Sequence, residues 1–432
     1  MSPRGDILLK GGRLLCPATG LDQTGDLLIS RGRIAALGGK LAAEGALAIP
    51  CAGLTVAPGL IDLHVHLREP GHEYKETIVS GTAAAAAGGF TAVCSMPNTK
   101  PVNDCRAVTE MILERAAKEG SARVYPVGAI TPGLLGQGLT EMAELAEAGC
   151  VAVTDDGRPV ADARLLRRAM EYATGFGLPV ICHSEEGSLS AGGVMHEGPT
   201  ATRLGLAGIP AEAEVIAIER DLALAGLTGA RVHIAHVSCA GSVRAIARAK
   251  QAGLRVSAET APHYLTLCDQ DVGEYDTHCK MNPPLRSAAD REAVRRALAE
   301  GVLDAVATDH APHSVLEKEL EFDQAAFGVV GLETALGVML ELVAEGVLTL
   351  PQVVQLLSAA PAALLGLPGG RLAKGGPADV TVIATDSPWV VEPGKFRSLS
   401  ANTPFAGRSL PGRAAVTICG GRITHRLDQE GS

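Results

Sequence analysis

Through the middle of the chain, short aliphatic runs alternate with longer stretches whose apolar residues recur every three to four positions. Eight runs read as strands: "GLIDLHVHL", "TAVCSMPNT", "RVYPVGAIT", "VAVTDDG", "LPVICHSE", "RVHIAHVS", "RVSAETAPH" and "DAVATDHAPH". Helical stretches follow at 105–119, 162–175, 211–226, 240–252 and 287–300. Strand followed by helix, repeated in this way, predicts an α/β fold with a parallel sheet closed as a (β/α)8 TIM-type barrel. A doubly wound sheet is the rival, but no G-x-G-x-x-G follows the first strand. The ends of the chain have a different texture. "DILLKGGRLL", "GDLLISRGRIAAL", "GGPADVTVIAT" and "RAAVTICGGRITH" read as strands and turns, and "ISRGRI" and "ICGGRI" share a hairpin pattern with Gly at the turn. The expected organisation is a small β-sandwich domain from both termini, residues 1–56 plus 367–432, around a catalytic barrel at 57–366.

Polar residues interrupt this apolar pattern at one place, the C-terminal ends of the strands, where barrel enzymes keep their sites. In the first strand His64, His66 and Arg68 occupy every second position, so they share one face. His183 and His236 end the fifth and sixth strands, and aspartates end the fourth and eighth, the latter being Asp309. Imidazole with carboxylate suits zinc, and also Mn, Fe or Co. Parity does not choose between the adjacent Asp155 and Asp156. His233 lies three residues before His236 and is expected to face outward, and His310 is out of phase with Asp309. His72, His196, His278 and His425 fall in expected loops or the tail and read as solvated; His263 is undecided.

Composition narrows the class. The chain has 432 residues, of which 47% are hydrophobic and 20% charged, with a formal net charge of −10. The absence of a dense Lys/Arg run argues against a nucleic-acid or anionic-membrane surface. "MSPRGDILLKGGRLLCP" lacks the apolar core of a signal peptide, and the Ala run at 83–87 is too short to span a bilayer. Ten scattered cysteines without a C-x-x-C fit reduced thiols in a cytoplasm.

"DLHVHLREPGHEYKETIVSGTAAAAAGGFTAVCSMPNTKPVND", "VTDDG", "ICHSEE", "HIAHVS", "KMNPPLR", "ATDHAPH", "FGVVGLET" and "ANTPFAGRSLPGRAAVTICGG" together resemble dihydroorotases of the longer bacterial type, within the amidohydrolase superfamily. The resemblance runs in order from residue 5 to 425. The His-x-His opening is shared by many amidohydrolases; "HLREPG" with "MPNT", "TDDG" and "NPPLR" is far more specific. It implies interconversion of dihydroorotate and N-carbamoyl-L-aspartate in pyrimidine synthesis, with one or two zinc ions per chain. It implies His64, His66, Asp156, His183, His236 and Asp309 as metal ligands, with Asp156 the bridging carboxylate. Arg68, Asn98, Asn282 and His313 match substrate contacts, joined by Phe327 and Gly328 on the ring-amide side. None of these positions departs from the family pattern. A homodimer and an association with aspartate transcarbamoylase are further expectations.

Hydantoinases and many relatives bridge two metals with a carboxylated lysine from strand four. This chain has no lysine between Lys118 and Lys250, so an aspartate must serve there. That separates the expectation from its rivals, a hydantoinase- or allantoinase-like cyclic amidase. A non-catalytic partner of aspartate transcarbamoylase, the other rival, is disfavoured by the presence of all six candidate ligands. The expected chemistry is attack of a metal-activated water on a polarised ring carbonyl, with Asp309 as general base and then acid. Arg68 would hold the substrate carboxylate.

Overall fold

A computed structural model describes residues 5–427. Residues 1–4 and 428–432, which the sequence reading assigns to the terminal β region, lie outside the described residues. The eight expected barrel strands form one parallel sheet in chain order: Leu60–Val65, Phe90–Ser95, Arg123–Ala129, Ala152–Thr154, Val180–Cys182, Val232–Ile234, Val256–Thr260 and Ala305–Val306. The eighth strand closes on the first. His66 N donates to the His310 carbonyl at 2.8 Å, and Thr308 N donates to the Asp62 carboxylate at 3.1 Å. The expected helices appear as Arg106–Glu119, Ala163–Gly175, Glu212–Thr228, Ala240–Gln251 and Ala288–Ala299. Asp162 and Ser287, the first residues of two expected stretches, are their N-caps: Asp162 accepts from Arg164 N at 2.7 Å and Ser287 from Asp290 N at 3.2 Å.

Two apolar layers follow from strand alternation. Val180, Val232, Ile234 and Val306 face outward under the helices. Ile181, Val127, Cys94 and Ala305 fill the barrel interior. Ile181, His233 and Ser257 are register partners on adjacent strands, so they share the inner face. His233 is therefore inward and buried, not outward as expected. The parity argument fails because regular strand geometry stops at Ile234 and His236 has φ 38°.

The terminal strands Ile7–Cys16, Leu21–Ser30, Arg33–Leu37, Leu47–Pro50, Thr55–Pro58, Val380–Ala384, Arg413–Cys419 and Arg422–Arg426 hydrogen-bond into a single sheet. The sheet surrounds its own core of Leu9, Leu14, Leu27, Ile34, Val56, Val382 and Ile418. The two matching sequence patterns are two matching hairpins. Arg31 and Gly32 have φ 51° and 75°, and Gly420 and Gly421 have φ 56° and 76°, the paired positive values of a type I′ turn. Between Ala384 and Arg413 the chain leaves this sheet. There Asn402 donates to the carbonyls of Ala311 and Gly328 and accepts from His313 N, which ties this segment to the mouth of the barrel. Among the described residues no helix is long and apolar enough to cross a membrane.

Candidate active site

His64 and His66 leave the first strand into the barrel mouth, and each ring turns one nitrogen away from the centre toward a polar neighbour. Asn98 Nδ2 donates to Asp156 Oδ2 at 3.2 Å, so its Oδ1 is the acceptor for His66 Nδ1 at 2.8 Å. That places the proton on Nδ1 and leaves the Nε2 lone pair pointing at Asp309 Oδ1, 3.1 Å away, and Asp156 Oδ2, 3.6 Å away. His64 repeats the arrangement. Its Nδ1 faces Glu259 at 3.5 Å, and its Nε2 faces Asp156 at 3.3 Å and Asp309 at 3.6 Å. His183 Nδ1 lies 3.5 Å from Asp156 Oδ1, while its Nε2 faces Glu185 at 3.3 Å. Neither ring nitrogen of buried His236 has a hydrogen-bond partner.

Lone pairs aimed at carboxylates in a buried space repel unless a cation or a proton lies between them. The donor atoms of His64, His66 and Asp156 lie within 4.8 Å of one another, as do those of Asp156, His183 and His236. Two trios sharing one carboxylate fit one or two divalent ions. Burial disfavours charge on these groups; at His66 it prevails and lowers the imidazole, whereas at His64 and His183 attraction to the carboxylates outweighs it. His64 is held well above the usual imidazole range by Asp156 and Asp309, and His183 is raised to about 10 by bonds to Asp156 and Glu185. Asp156 and Asp309 are held low by the same imidazoles, so both are carboxylates.

The twin aspartates divide cleanly. Asp155 turns toward the end of the third strand and accepts from Ile130 N at 2.8 Å, Thr131 N at 3.0 Å and the Thr131 hydroxyl. Asp156 alone faces the cluster. Arg68 lies beyond His66. Its Nε donates to the Pro312 carbonyl at 3.1 Å and its Nη2 lies 3.3 Å from His313 Nε2. Arg68, His236 and Asp309 have φ of 62°, 38° and 48°, which makes them three of the six non-glycine residues with positive φ among the described residues. Such backbone costs roughly 1–3 kcal/mol each and clusters where a side chain must be aimed.

Of the twelve expected site residues, His66, Arg68, Asn98, Asp156, His183, His236, Asn282, Asp309, His313, Phe327 and Gly328 line one cavity of about 260 Å³, and His64 lies against its floor. His263 is buried beside Tyr264, pushed down to about 4 by burial, and stands outside both trios. His72, His196, His278 and His425 are half-buried rather than solvated.

Two acidic residues escaped the sequence reading. Glu185 faces His183 and accepts from Asn282 Nδ2 at 2.9 Å, so it orients one candidate ligand and one candidate substrate contact. Glu259 links His64 to His233, whose Nε2 is 3.1 Å from Glu259 Oε2 and whose Nδ1 is 2.8 Å from Ser257 Oγ. The signal was available: a carboxylate inside the expected strand "RVSAETAPH", two residues from Ser257. Burial opposes its charge, but His233 and His64 hold Glu259 down at about 2. Glu259→Gln is expected to weaken metal affinity about 10–100-fold, because the ring orientation of a ligating histidine depends on such a partner. Competition against a chelator of known affinity measures this; unchanged affinity would mean that packing alone orients His64.

Comparison with known proteins agrees with this geometry. A family profile described as "Dihydro-orotase-like" matches residues 53–242, and one described as "Amidohydrolase family" matches residues 207–425. The dihydroorotase of Anaeromyxobacter dehalogenans is 55% identical over 426 residues, covering 98% of each chain. That of Syntrophotalea carbinolica is 56% identical over 421 residues, covering 98% of this chain and 99% of its own. Among solved structures, the L-hydantoinase of Arthrobacter aurescens superposes with a TM-score of 0.88 at 26% identity, over 98% of this chain and 96% of its own. The fold is thus common to hydantoinases, whereas the full-length relatives at more than half identity carry the dihydroorotase name. On both grounds, the barrel with its clustered histidines and aspartates belongs to the dihydroorotase family of amidohydrolases.

Proposed function

We propose that the protein interconverts dihydroorotate and N-carbamoyl-L-aspartate, the cyclic-amide step of pyrimidine synthesis. The observation that supports this reading is the pairing of Arg68 with His313 beside the His/Asp cluster, on one wall of the barrel mouth, where the two would clamp an anion. Arg68 and His313 sit 3.3 Å apart, and Arg68 follows His66 by two residues. A substrate whose carboxylate meets Arg68, Asn98 and His313 presents its ring carbonyl to the cluster. Strand four offers Asp156 and no lysine, which sets the site apart from the hydantoinase pattern.

The nitrogen and oxygen donor set fits zinc, one or two ions per chain. Bound there, the metal supplies an acidified water and a polarised carbonyl. The chain's own residues do the rest. Asp309, held ionised by the neighbouring imidazoles, takes a proton from the attacking water and delivers it to the ring nitrogen as the carbon–nitrogen bond breaks. Asn282, held by Glu185, and the backbone near Gly328 bind the ring amide. Partial burial of the Arg68 guanidinium strengthens its contact with the carboxylate.

The same reading includes a catalytic barrel at 57–366 with a β domain from 1–56 and 367–432. It also includes a homodimer, docking to aspartate transcarbamoylase, and a cytoplasmic location. Purified, metal-loaded protein should turn over dihydroorotate in both directions and prefer it to hydantoin and allantoin. A preference for either of the other two rings, or no turnover at all, would sink the assignment.

A further inference from the structure

Two of the largest fully buried side chains in the protein are lysines, Lys280 and Lys318, which are 2% and 1% exposed. No carboxylate forms an ion pair with either among the described residues. Their ammonium groups are instead saturated by backbone carbonyls and aromatic faces. Lys318 Nζ donates to the carbonyls of Ala326 at 2.8 Å, Gly328 at 3.1 Å and Lys280 at 3.3 Å. Lys280 Nζ donates to those of Phe322 at 2.7 Å and Asp323 at 3.1 Å and lies 4.4 Å from the centre of the Phe327 ring.

Burying an ammonium without a counter-ion costs several kcal/mol unless every N–H is met. Apart from the Lys280 carbonyl, the partners lie in the stretch from 319 to 328, which has no helix or strand of its own. The loop therefore owes its shape to the two cations, and the cations owe their burial to the loop. Gly328 shows what this shape serves. Its N–H donates to the Lys280 carbonyl at 2.9 Å, and its own carbonyl accepts from Lys318 and Asn402. At φ 130° it passes so close to the site that a Cβ there would lie 2.7 Å from the Ala311 Cβ and 3.1 Å from His313 Nε2. Lys280 also lies two residues before Asn282.

We propose that Lys280 and Lys318 are positioning residues that preform the substrate-facing wall made by Phe327, Gly328 and His313. The inference rests on the reading that this wall and Asn282 contact the substrate ring. Burial lowers both lysines, Lys318 to about 8, which leaves it mainly protonated at neutral pH.

The test uses the full-length, metal-loaded protein with Lys280→Met and Lys318→Met, each close to lysine in length but unable to donate. Dihydroorotate kinetics and metal content are measured beside Asn282→Ala. Both methionine variants should raise KM about tenfold or more while kcat and metal stoichiometry stay near wild type, the pattern of lost substrate binding. Raised KM in Asn282→Ala with unchanged KM in the lysine variants would overturn the positioning role and leave the site reading intact. Unchanged KM in Asn282→Ala would instead overturn the site reading. A measurement on the wild-type protein stands even where a variant fails to fold. Amide exchange at Ala326 and Gly328 should be as slow as in the barrel strands without substrate, and rapid exchange there would refute a preformed wall.

Discussion

Asp156→Ala is expected to lose bound metal and to lower kcat/KM by about 10³-fold or more, since Lewis-acid stabilisation supplies several kcal/mol and each 1.4 kcal/mol is a factor of ten. Asp156 is the only residue common to both donor trios, so its removal opens both at once. Chelation of the wild-type protein should give the same loss, reversed when metal is restored. Asp155→Ala is the control one residue away. It should keep metal and most activity but lose stability, because the Ile130 and Thr131 amides lose their buried acceptor. A buried donor left unsatisfied costs about 1–3 kcal/mol. Metal analysis, kinetics and thermal unfolding of the pair read both effects. The reverse outcome would mean that the fourth strand is misregistered by one residue. Metal affinity should also fall as pH is lowered, because His183, raised to about 10, and His64 take up protons that compete for the ligand lone pairs.

Arg68→Ala should leave metal content unchanged and lower kcat/KM in both directions. Stripping one partner from a buried, charge-assisted contact costs about 2–5 kcal/mol, or roughly 30- to several-thousand-fold. The guanidinium is oriented before substrate arrives, by the Pro312 carbonyl on Nε and by His313 at Nη2. Arg68→Lys restores charge but has no planar fork to satisfy these partners and a carboxylate together, so recovery should be partial. Near-wild-type turnover in the alanine variant would remove Arg68 from the substrate site. Loss of metal would show that it supports the neighbouring ligands instead.

Much of this site was legible because its residues sit where local rules hold. Alternation marked the strands, and His64 and His66 stood out as polar residues spaced by two in an apolar run. The helical stretches expected from 162 and 287 begin on the N-caps of the observed helices, Asp162 and Ser287. The absence of lysine on strand four excluded one bridging chemistry by residue type alone. Asp156 over Asp155 came from family resemblance, not from parity.

By itself, then, the sequence determined the order of strands and helices, the chemical type of the site and its place at the strand ends. These follow from side-chain periodicity, which is a local property of regular backbone. Only the tertiary structure decided which polar residues share one space. Parity loses its meaning where φ turns positive, as at His236 and Asp309, and so it misplaced His233. Contacts between distant positions depend on how the barrel closes: His66 with Asp309, His64 with Glu259, Asn402 with Gly328. A buried lysine looks like any surface lysine in one dimension. Lys318 is recognisable only when the carbonyls of Lys280, Ala326 and Gly328 converge on its ammonium, because burial and hydrogen-bond saturation are properties of the packed chain and not of its composition.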